Sequence, residues 1–169
     1  MSETRNFVAI LMGSDSDLPV VQAGIEVLNK LDIPCEIKIT SAHRTPEDTV
    51  MYIEDAEARG CQVFIAAAGL AAHLAGAVAA HTLKPVIGIP MDGGPLKGMD
   101  ALLSTVQMPG GIPVATVAIG KAGAKNAAYL AAQILSLGDA AIAARVKQER
   151  ADNAEAVRAK DAELQASLS

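Results

Sequence analysis

Short apolar runs alternate regularly with helix-length segments along this chain, and this alternation limits the folds that it can adopt. Five runs rich in Val, Ile, Leu, Ala or Phe have the length of buried strands: 7–12, 35–39, 63–67, 86–89 and 113–119. The helix-length segments between them are 18–31, 46–59, 71–82 and a less regular stretch at 100–107. Strands that alternate with helices predict a parallel sheet covered by helices on both faces.

Five parallel strands in a chain of 169 residues indicate a three-layer α/β sandwich of the flavodoxin-like or Rossmann-like kind. Ligands of such sheets bind beyond the carboxyl ends of the strands. The loops after the first three strands are therefore the places where we look for chemistry.

The charge and the aromatic content argue against nucleic acid as a partner. Nineteen acidic and fourteen basic residues give a formal net charge of −5, which disfavours a surface for polyanions. With two Phe, two Tyr and no Trp, the chain also lacks aromatic platforms for single-stranded nucleic acid.

A membrane span has to be considered at 63–83, which contains no Asp, Glu, Lys or Arg. Two Gly and two His interrupt it and Ala dominates, so we predict no membrane association. Cys35 and Cys61 lack CxxC spacing, and no signal sequence opens the chain. We therefore expect free thiols and a cytoplasmic protein.

The segment 139–169 differs in composition from the rest of the chain, with no Gly or Pro and eleven charged residues among 31. Its larger apolar residues fall roughly on one helical stripe: Ile142, Val146, Val157, Leu164 and Leu168. One helix of this length would run about 46 Å, longer than a small domain readily covers. We predict an α/β domain over 1–138 and a helical extension over 139–169 that packs on a neighbouring subunit. A partly frayed terminal helix is the alternative.

The loop after the first strand, GSDSD at 13–17, leads directly into a helix. Hydroxyls and unpaired N–H groups at a helix N-terminus suit a phosphate. The loop is neither a Walker A motif nor a GxGxxG fingerprint. Simple capping of the helix by Ser14, Ser16 or Asp17 explains the same residues equally well.

The loop after the second strand, SAHRTP at 41–46, contains His43 and Arg44. Histidine exchanges a proton near neutral pH, and arginine can hold a phosphate or a carboxylate through two hydrogen bonds. A His–Arg pair in a loop is often only a surface feature, but its position beside the first loop favours a function. Thr45 and Pro46 also predict a helix start with a variant of the capping box.

The loop after the third strand, AAAGLAAHLAG at 66–76, places His73 at the beginning of an Ala-rich helix that ends at His81. Catalysis, substrate contact and a structural role are all open for His73, whereas His81 suits the helix C-terminus. Three histidines without Cys or carboxylate partners at ligand spacing predict no metal site. The segments 107–113 and 120–126 are interpreted as turns before and after the fifth strand.

Five motifs of this chain together resemble the bacterial N5-carboxyaminoimidazole ribonucleotide mutases of purine biosynthesis. They are, in order, GSDSD, SAHRTP, AAAGLAAHLAG, STVQMPGGIPVATVAIG and KAGAKNAA. The resemblance implies a flavodoxin-like fold, a homo-octamer and no cofactor. It also implies the transfer of a carboxylate from an exocyclic nitrogen to a ring carbon of a ribonucleotide.

The resemblance further implies how the substrate is held. Four residues match the family's substrate-binding positions: Ser14, Ser16, Asp17 and Arg44. Arg44 and the loop of Ser14 would hold the phosphate, and Asp17 the ribose hydroxyls. Ser41 lies in the same substrate loop as Arg44.

The two loop histidines match active-site histidines of the family, His43 as the general acid and base and His73 as the second histidine. Ala75 departs from the family, which often has proline there. A related branch that carboxylates aminoimidazole ribonucleotide directly with CO₂ is similar to SAHK and AGRSN at these sites, so SAHR and AGLAAH favour the mutase. The direct carboxylase and a non-catalytic nucleotide-binding assembly domain remain the alternative hypotheses.

Overall fold

The computed structural model describes residues 6–168 and contains a five-stranded parallel sheet. Its strands are β1 Phe7–Met12, β2 Cys35–Ile39, β3 Cys61–Ala68, β4 Val86–Pro90 and β5 Ala115–Thr116. They lie in the order β2-β1-β3-β4-β5, which is the flavodoxin-like order and confirms the predicted fold class. The first five residues of the predicted domain 1–138 and the last residue of the extension 139–169 lie outside the described residues.

Within residues 6–168, six α-helices accompany the sheet: α1 Leu18–Lys30, α2 Pro46–Ala58, α3 Leu74–Ala80, α4 Met99–Val106, α5 Gly120–Ser136 and α6 Ala140–Leu168. The central strands are buried on both faces because helices cover both. In β1, Val8, Ile10 and Met12 pack with the cluster that contains α1 and α5, whereas Ala9 and Leu11 pack with α2 and α3. This is why each strand appears in the sequence as a continuous run of apolar residues.

The prediction was wrong around the fifth strand. This strand covers Ala115–Thr116 instead of 113–119, and the segment 120–126, interpreted as a turn, is the start of α5. Its glycines serve close packing: a Cβ on Gly123 would lie 1.6 Å from the carbonyl oxygen of Ala118. In the same way, a Cβ on Gly24 of α1 would lie 2.6 Å from the carbonyl oxygen of Ala124. Glycine therefore lets α5 approach both its preceding loop and α1.

A continuous helix α6 occupies most of the predicted extension. Ile142 and Val146 pack against the chain's own core, whereas Val157, Leu164 and Leu168 are exposed. The first part of the apolar stripe thus covers its own domain. The last three residues of the stripe project from the domain and are exposed.

The first half of α6 is anchored by a buried carboxylate. Glu149 accepts hydrogen bonds from Lys30 Nζ of α1 at 2.6 Å, from the Tyr129 hydroxyl of α5 at 3.0 Å and from Asn153 Nδ2 at 3.3 Å. Arg145 Nε also donates to the carbonyl oxygen of Leu31 at 2.6 Å. These contacts tie α6 to both helices on this face of the sheet.

This anchor predicts that stability depends on pH. The hydrogen bond from Lys30, helped by those from Tyr129 and Asn153, lowers the pKa of Glu149 below its ordinary value of 4.5. Glu149 therefore stabilises the fold above that ordinary value, and this contribution is lost as the pH falls through the lowered pKa. We expect Glu149→Gln to lower the Tm at neutral pH, with the gap to wild type closing as the pH falls below 4.5 and through the lowered pKa of Glu149. A gap that stays constant across a pH series of thermal melts would contradict this.

Among residues 6–168, no helix is long and apolar enough to cross a bilayer. The apolar stretch 63–83 is divided between β3, a loop and α3, with Cys61 buried at the start of β3. Cys61 and the half-buried Cys35 are both free thiols.

Candidate active site

The loops singled out in the sequence meet at the carboxyl edge of the sheet, where the strand order reverses between β1 and β3. A cavity of about 540 Å³ lies there, lined by the loops after β1, β2, β3 and β4. All seven candidate residues line it: Ser14, Ser16, Asp17, Ser41, His43, Arg44 and His73. The structure therefore brings together every candidate residue that the sequence indicated.

The first loop is shaped by its own hydroxyl groups. Ser14 caps a short 3₁₀ helix, Asp15–Asp17, because its Oγ accepts from the N–H of Ser16 at 3.2 Å. The Ser16 hydroxyl also donates to Ser14 Oγ at 2.9 Å. The capping interpretation therefore holds for Ser14, but at this 3₁₀ helix rather than at α1.

Asp17 precedes α1, but its side chain makes no capping hydrogen bond to that helix. Burial raises the pKa of Asp17 above its ordinary value, and a backbone hydrogen bond from Ser14 opposes this rise. Since the helix does not use the carboxylate and the residue lines the cavity, its oxygens are available to hydroxyl donors of a ligand.

The second loop is a tight turn held by Ser41 and Thr45. Ser41 Oγ accepts from the N–H of Arg44 at 3.1 Å, and the N–H of Ser41 donates to Thr45 Oγ1 at 3.0 Å. Because the Thr45 hydroxyl is used in this turn, it makes no capping bond to α2, and the predicted side-chain cap is wrong. Pro46 does begin the helix, as predicted.

Thr40 and Thr49, which were not singled out from the sequence, also support this turn. The buried hydroxyl of Thr40 lies 2.7 Å from that of Thr49 and 3.2 Å from that of Thr45. The sequence signal was the spacing of Thr45 and Thr49, which are four residues apart. This spacing places both hydroxyls on one side of the first turn of α2. The turn that carries His43 and Arg44 is thus fixed to the end of β2 and the start of α2.

Arg44 contributes a positively charged guanidinium to the wall of the cavity. Within the part of the chain that the structure describes, no carboxylate forms an ion pair with its guanidinium, which is exposed. The five N–H donors of this group are therefore available to an anionic ligand.

The two histidines are in direct contact across the cavity wall. His43 Nε2 lies 2.7 Å from His73 Nδ1, and the rings meet edge to face at an interplanar angle of 84°. A hydrogen bond between two ring nitrogens requires that one donates and the other accepts. The pair can therefore hold a proton between the rings and release it toward a ligand. His81 ends α3 on the other side, as predicted.

The loop after β4 also belongs to the site, although it was not among the loops singled out from the sequence. Met91, Gly93 and Gly94 line the same cavity. Gly94 has a φ of +80°, and a Cβ there would lie 2.4 Å from Leu70 Cδ2, so glycine lets this loop close against the loop after β3. The signal was present, since the loop follows the carboxyl end of a strand paired with β3.

Among residues 6–168, no three His, Cys, Asp or Glu side chains are grouped closely enough to hold a metal ion. What the cavity offers to a ligand is one guanidinium, a hydroxyl-lined helix N-terminus, a carboxylate and a histidine pair. Such a set of groups suits a small phosphorylated molecule that undergoes proton transfer.

A flavodoxin-like sheet with such a cavity where its strand order reverses is typical of α/β enzymes that bind small phosphorylated ligands. Within that class the sequence is more specific. The chain belongs to the AIR carboxylase family, whose sequence profile matches residues 7–156. This confirms the resemblance seen in the loop motifs.

Relatives from several organisms carry the name N5-carboxyaminoimidazole ribonucleotide mutase. That of Bacillus subtilis (strain 168) is 51% identical over 150 residues, which cover 89% of this chain and 93% of the relative. That of Escherichia coli (strain K12) is 52% identical over 143 residues, 85% of each chain. The crystal structure of Treponema denticola PurE superposes with a TM-score of 0.85 at 36% identity, covering 95% of this chain and 99% of the other.

Proposed function

We propose that this chain is an N5-carboxyaminoimidazole ribonucleotide mutase of purine biosynthesis, which forms 4-carboxyaminoimidazole ribonucleotide. The observation that carries the proposal is the contact of 2.7 Å between His43 and His73 inside a cavity with phosphate-binding groups. The relatives at 51–52% identity with the mutase name supply the reaction.

The substrate is held by its phosphate and ribose. The phosphate lies at the N-terminus of the loop helix, between the hydroxyls of Ser14 and Ser16 and the guanidinium of Arg44. Asp17 accepts hydrogen bonds from the ribose hydroxyls, and Ser41 keeps Arg44 in place through the backbone of the turn. A cavity of about 540 Å³ is of the size usual for small-molecule sites.

The reaction moves one carboxylate and leaves the proton count unchanged. When the bond between the exocyclic nitrogen and the carboxylate breaks, CO₂ is released and the nitrogen gains a proton. The electron-rich ring carbon then attacks the trapped CO₂, and the ring regains its aromaticity when that carbon loses its proton. A closed site keeps CO₂ beside the ring between the two steps.

One group that takes the proton from carbon and supplies the proton to nitrogen is sufficient for this sequence of steps. We assign the shuttle to His43, because its ring lies on the cavity wall and imidazole exchanges protons near neutral pH. His73 is the second histidine, whose Nδ1 hydrogen-bonds to His43 and orients its ring. No step requires a metal or a cofactor.

The test is conversion of N5-carboxyaminoimidazole ribonucleotide by purified protein that has been treated with chelator and stripped of nucleotides, without ATP. The double variant His43→Asn, His73→Asn is the control for uncatalysed conversion.

Activity that vanishes with chelator and returns with metal would contradict the cofactor-free mechanism. Turnover of aminoimidazole ribonucleotide that depends on added CO₂, without mutase turnover, would indicate the direct carboxylase. Binding without turnover of either substrate would indicate the assembly domain.

We also propose that the chain acts as a cytoplasmic homo-oligomer, an octamer, in which α6 contacts a neighbouring subunit. The free thiols agree with a reducing compartment. Val157, Leu164 and Leu168 continue the same helical stripe whose first residues, Ile142 and Val146, pack on the chain's own core. A second subunit would give these three side chains the apolar surroundings that the first two already have.

Light scattering should therefore give the mass of an octamer of 17.3-kDa chains. Leu164→Asp should lower that mass, because it places a charge in the proposed contact. Ala162→Asp is the matched control, since Ala162 is exposed on the opposite side of α6 and should leave the mass unchanged. A monomeric wild-type protein, or equal effects of the two variants, would rule out this role of α6.

A further inference from the structure

Ser104, on α4, connects this helix to the loop that carries His73. Its Oγ accepts a hydrogen bond from the N–H of Ala72 at 3.1 Å. Its own hydroxyl proton has its shortest acceptor in the carbonyl oxygen of Asp100, one turn earlier in α4, at 2.5 Å, and the carbonyl oxygen of Leu70 in the same loop lies farther away at 3.4 Å. The hydroxyl is therefore fixed on its helix and presents a lone pair to the loop. Ser104 is also the first residue of the motif STVQMPGG, which the mechanism above does not use.

The loop between β3 and α3 has two features that make the hydrogen bond to Ser104 important for its conformation. Ala72 is only 1% exposed, so its N–H has little access to water and depends on a protein acceptor. Leu70, two residues earlier, has a φ of +56°, in the left-handed region that a residue with a Cβ adopts only when its surroundings hold it there. Both features make the path of the loop sensitive to the loss of one hydrogen bond.

We propose that Ser104 is a positioning residue of the active site, an inference that rests on the proposed function. Ala72 immediately precedes His73, so the hydrogen bond from its N–H to Ser104 determines where the His73 backbone lies. The His73 ring then meets His43 Nε2 at 2.7 Å. Ser104 is not among the residues that line the cavity and so acts through His73, without touching the substrate.

The first test is Ser104→Ala, which removes the acceptor and leaves the N–H of Ala72 unpaired. We expect kcat to fall roughly tenfold or more, since small displacements of catalytic groups have effects of this size, while KM changes less than about twofold. Thr105→Val is the matched control. The Thr105 hydroxyl is buried and, among the described residues, donates to Ala101 within the same helix, so its loss should leave kcat unchanged.

A second pair of variants separates the hydroxyl from the volume of the side chain. Threonine and valine have nearly the same shape: both add a methyl group to the serine side chain, but valine also replaces the hydroxyl by a methyl group, so only threonine keeps the acceptor. We expect threonine to retain much more of the wild-type kcat than valine. If valine and threonine behave alike, or if Ser104→Ala keeps the wild-type kcat, the proposal is wrong.

A double-mutant cycle tests whether Ser104 acts through His73. In the background His73→Asn, Ser104→Ala should lower kcat little further, whereas independent roles would give additive losses. Crystal structures supply a readout that does not depend on turnover. The His43–His73 distance should increase in Ser104→Ala and remain near 2.7 Å in Thr105→Val. An unchanged distance in Ser104→Ala would overturn the proposal, whereas a wild-type protein without turnover would overturn only the proposed function.

Discussion

Replacing Arg44 by alanine is expected to weaken binding of the ribonucleotide by about 1.5–3 kcal/mol, the usual contribution of a hydrogen bond to a charged group. This corresponds to a roughly 10- to 150-fold higher Kd. The reason is that Arg44 has no carboxylate partner among residues 6–168 and lines the cavity beside the hydroxyls of the first loop. Its charge is therefore free for the phosphate.

Calorimetric titration with aminoimidazole ribonucleotide, which carries the same phosphate and ribose, measures this effect without turnover. Arg44→Lys should fall between wild type and Arg44→Ala, because lysine keeps the charge but cannot bind the phosphate through two parallel hydrogen bonds. The Tm should change little, since the Arg44 side chain is exposed. An unchanged Kd in Arg44→Ala would remove this residue from the proposed site.

The layered fold was predictable because each central strand is buried on both faces and therefore reads as an apolar run between helices. The prediction failed where glycine has two possible uses. Gly120 and Gly123 are typical of a turn, but here Gly120 begins α5 with a φ of +71° and Gly123 lets the helix lie close to the preceding loop. Whether such a glycine forms a turn or allows close packing of a helix depends on how near the neighbouring backbone lies, and the sequence does not show this.

The site was largely predictable for a different reason. In a parallel sheet the carboxyl ends of all strands share one edge, so polar residues after successive strands must converge. The same rule covers the glycines after β4, which the sequence analysis did not consider. The contact between His43 and His73, 30 residues apart, was beyond prediction, because the sequence does not show the path of the loop between β3 and α3, in which Leu70 adopts a left-handed conformation.

The contact between the two histidines leaves two assignments of the proton shuttle to be separated. His43 lies in a turn held by Ser41 and Thr45, beside Arg44, the residue proposed to hold the phosphate. His73 is the N-cap residue of α3 and meets His43 Nε2 through its Nδ1 at 2.7 Å, so it is placed to orient the His43 ring. A ring that must carry a proton between two atoms of the substrate is therefore better placed at His43.

We accordingly expect His43→Asn to lower kcat by roughly 10²-fold or more, the usual effect of losing general acid and base catalysis. Asparagine keeps part of the shape and hydrogen bonding but cannot titrate, and the groups that hold phosphate and ribose remain, so the Kd should change little. His73→Asn, measured in parallel, should lower kcat less, because asparagine can still hydrogen-bond to the ring of His43. Near-wild-type turnover in His43→Asn together with a large loss in His73→Asn would reverse the assignment and make His73 the shuttle. A large rise in the Kd of His43→Asn with kcat preserved would show instead that His43 positions the substrate.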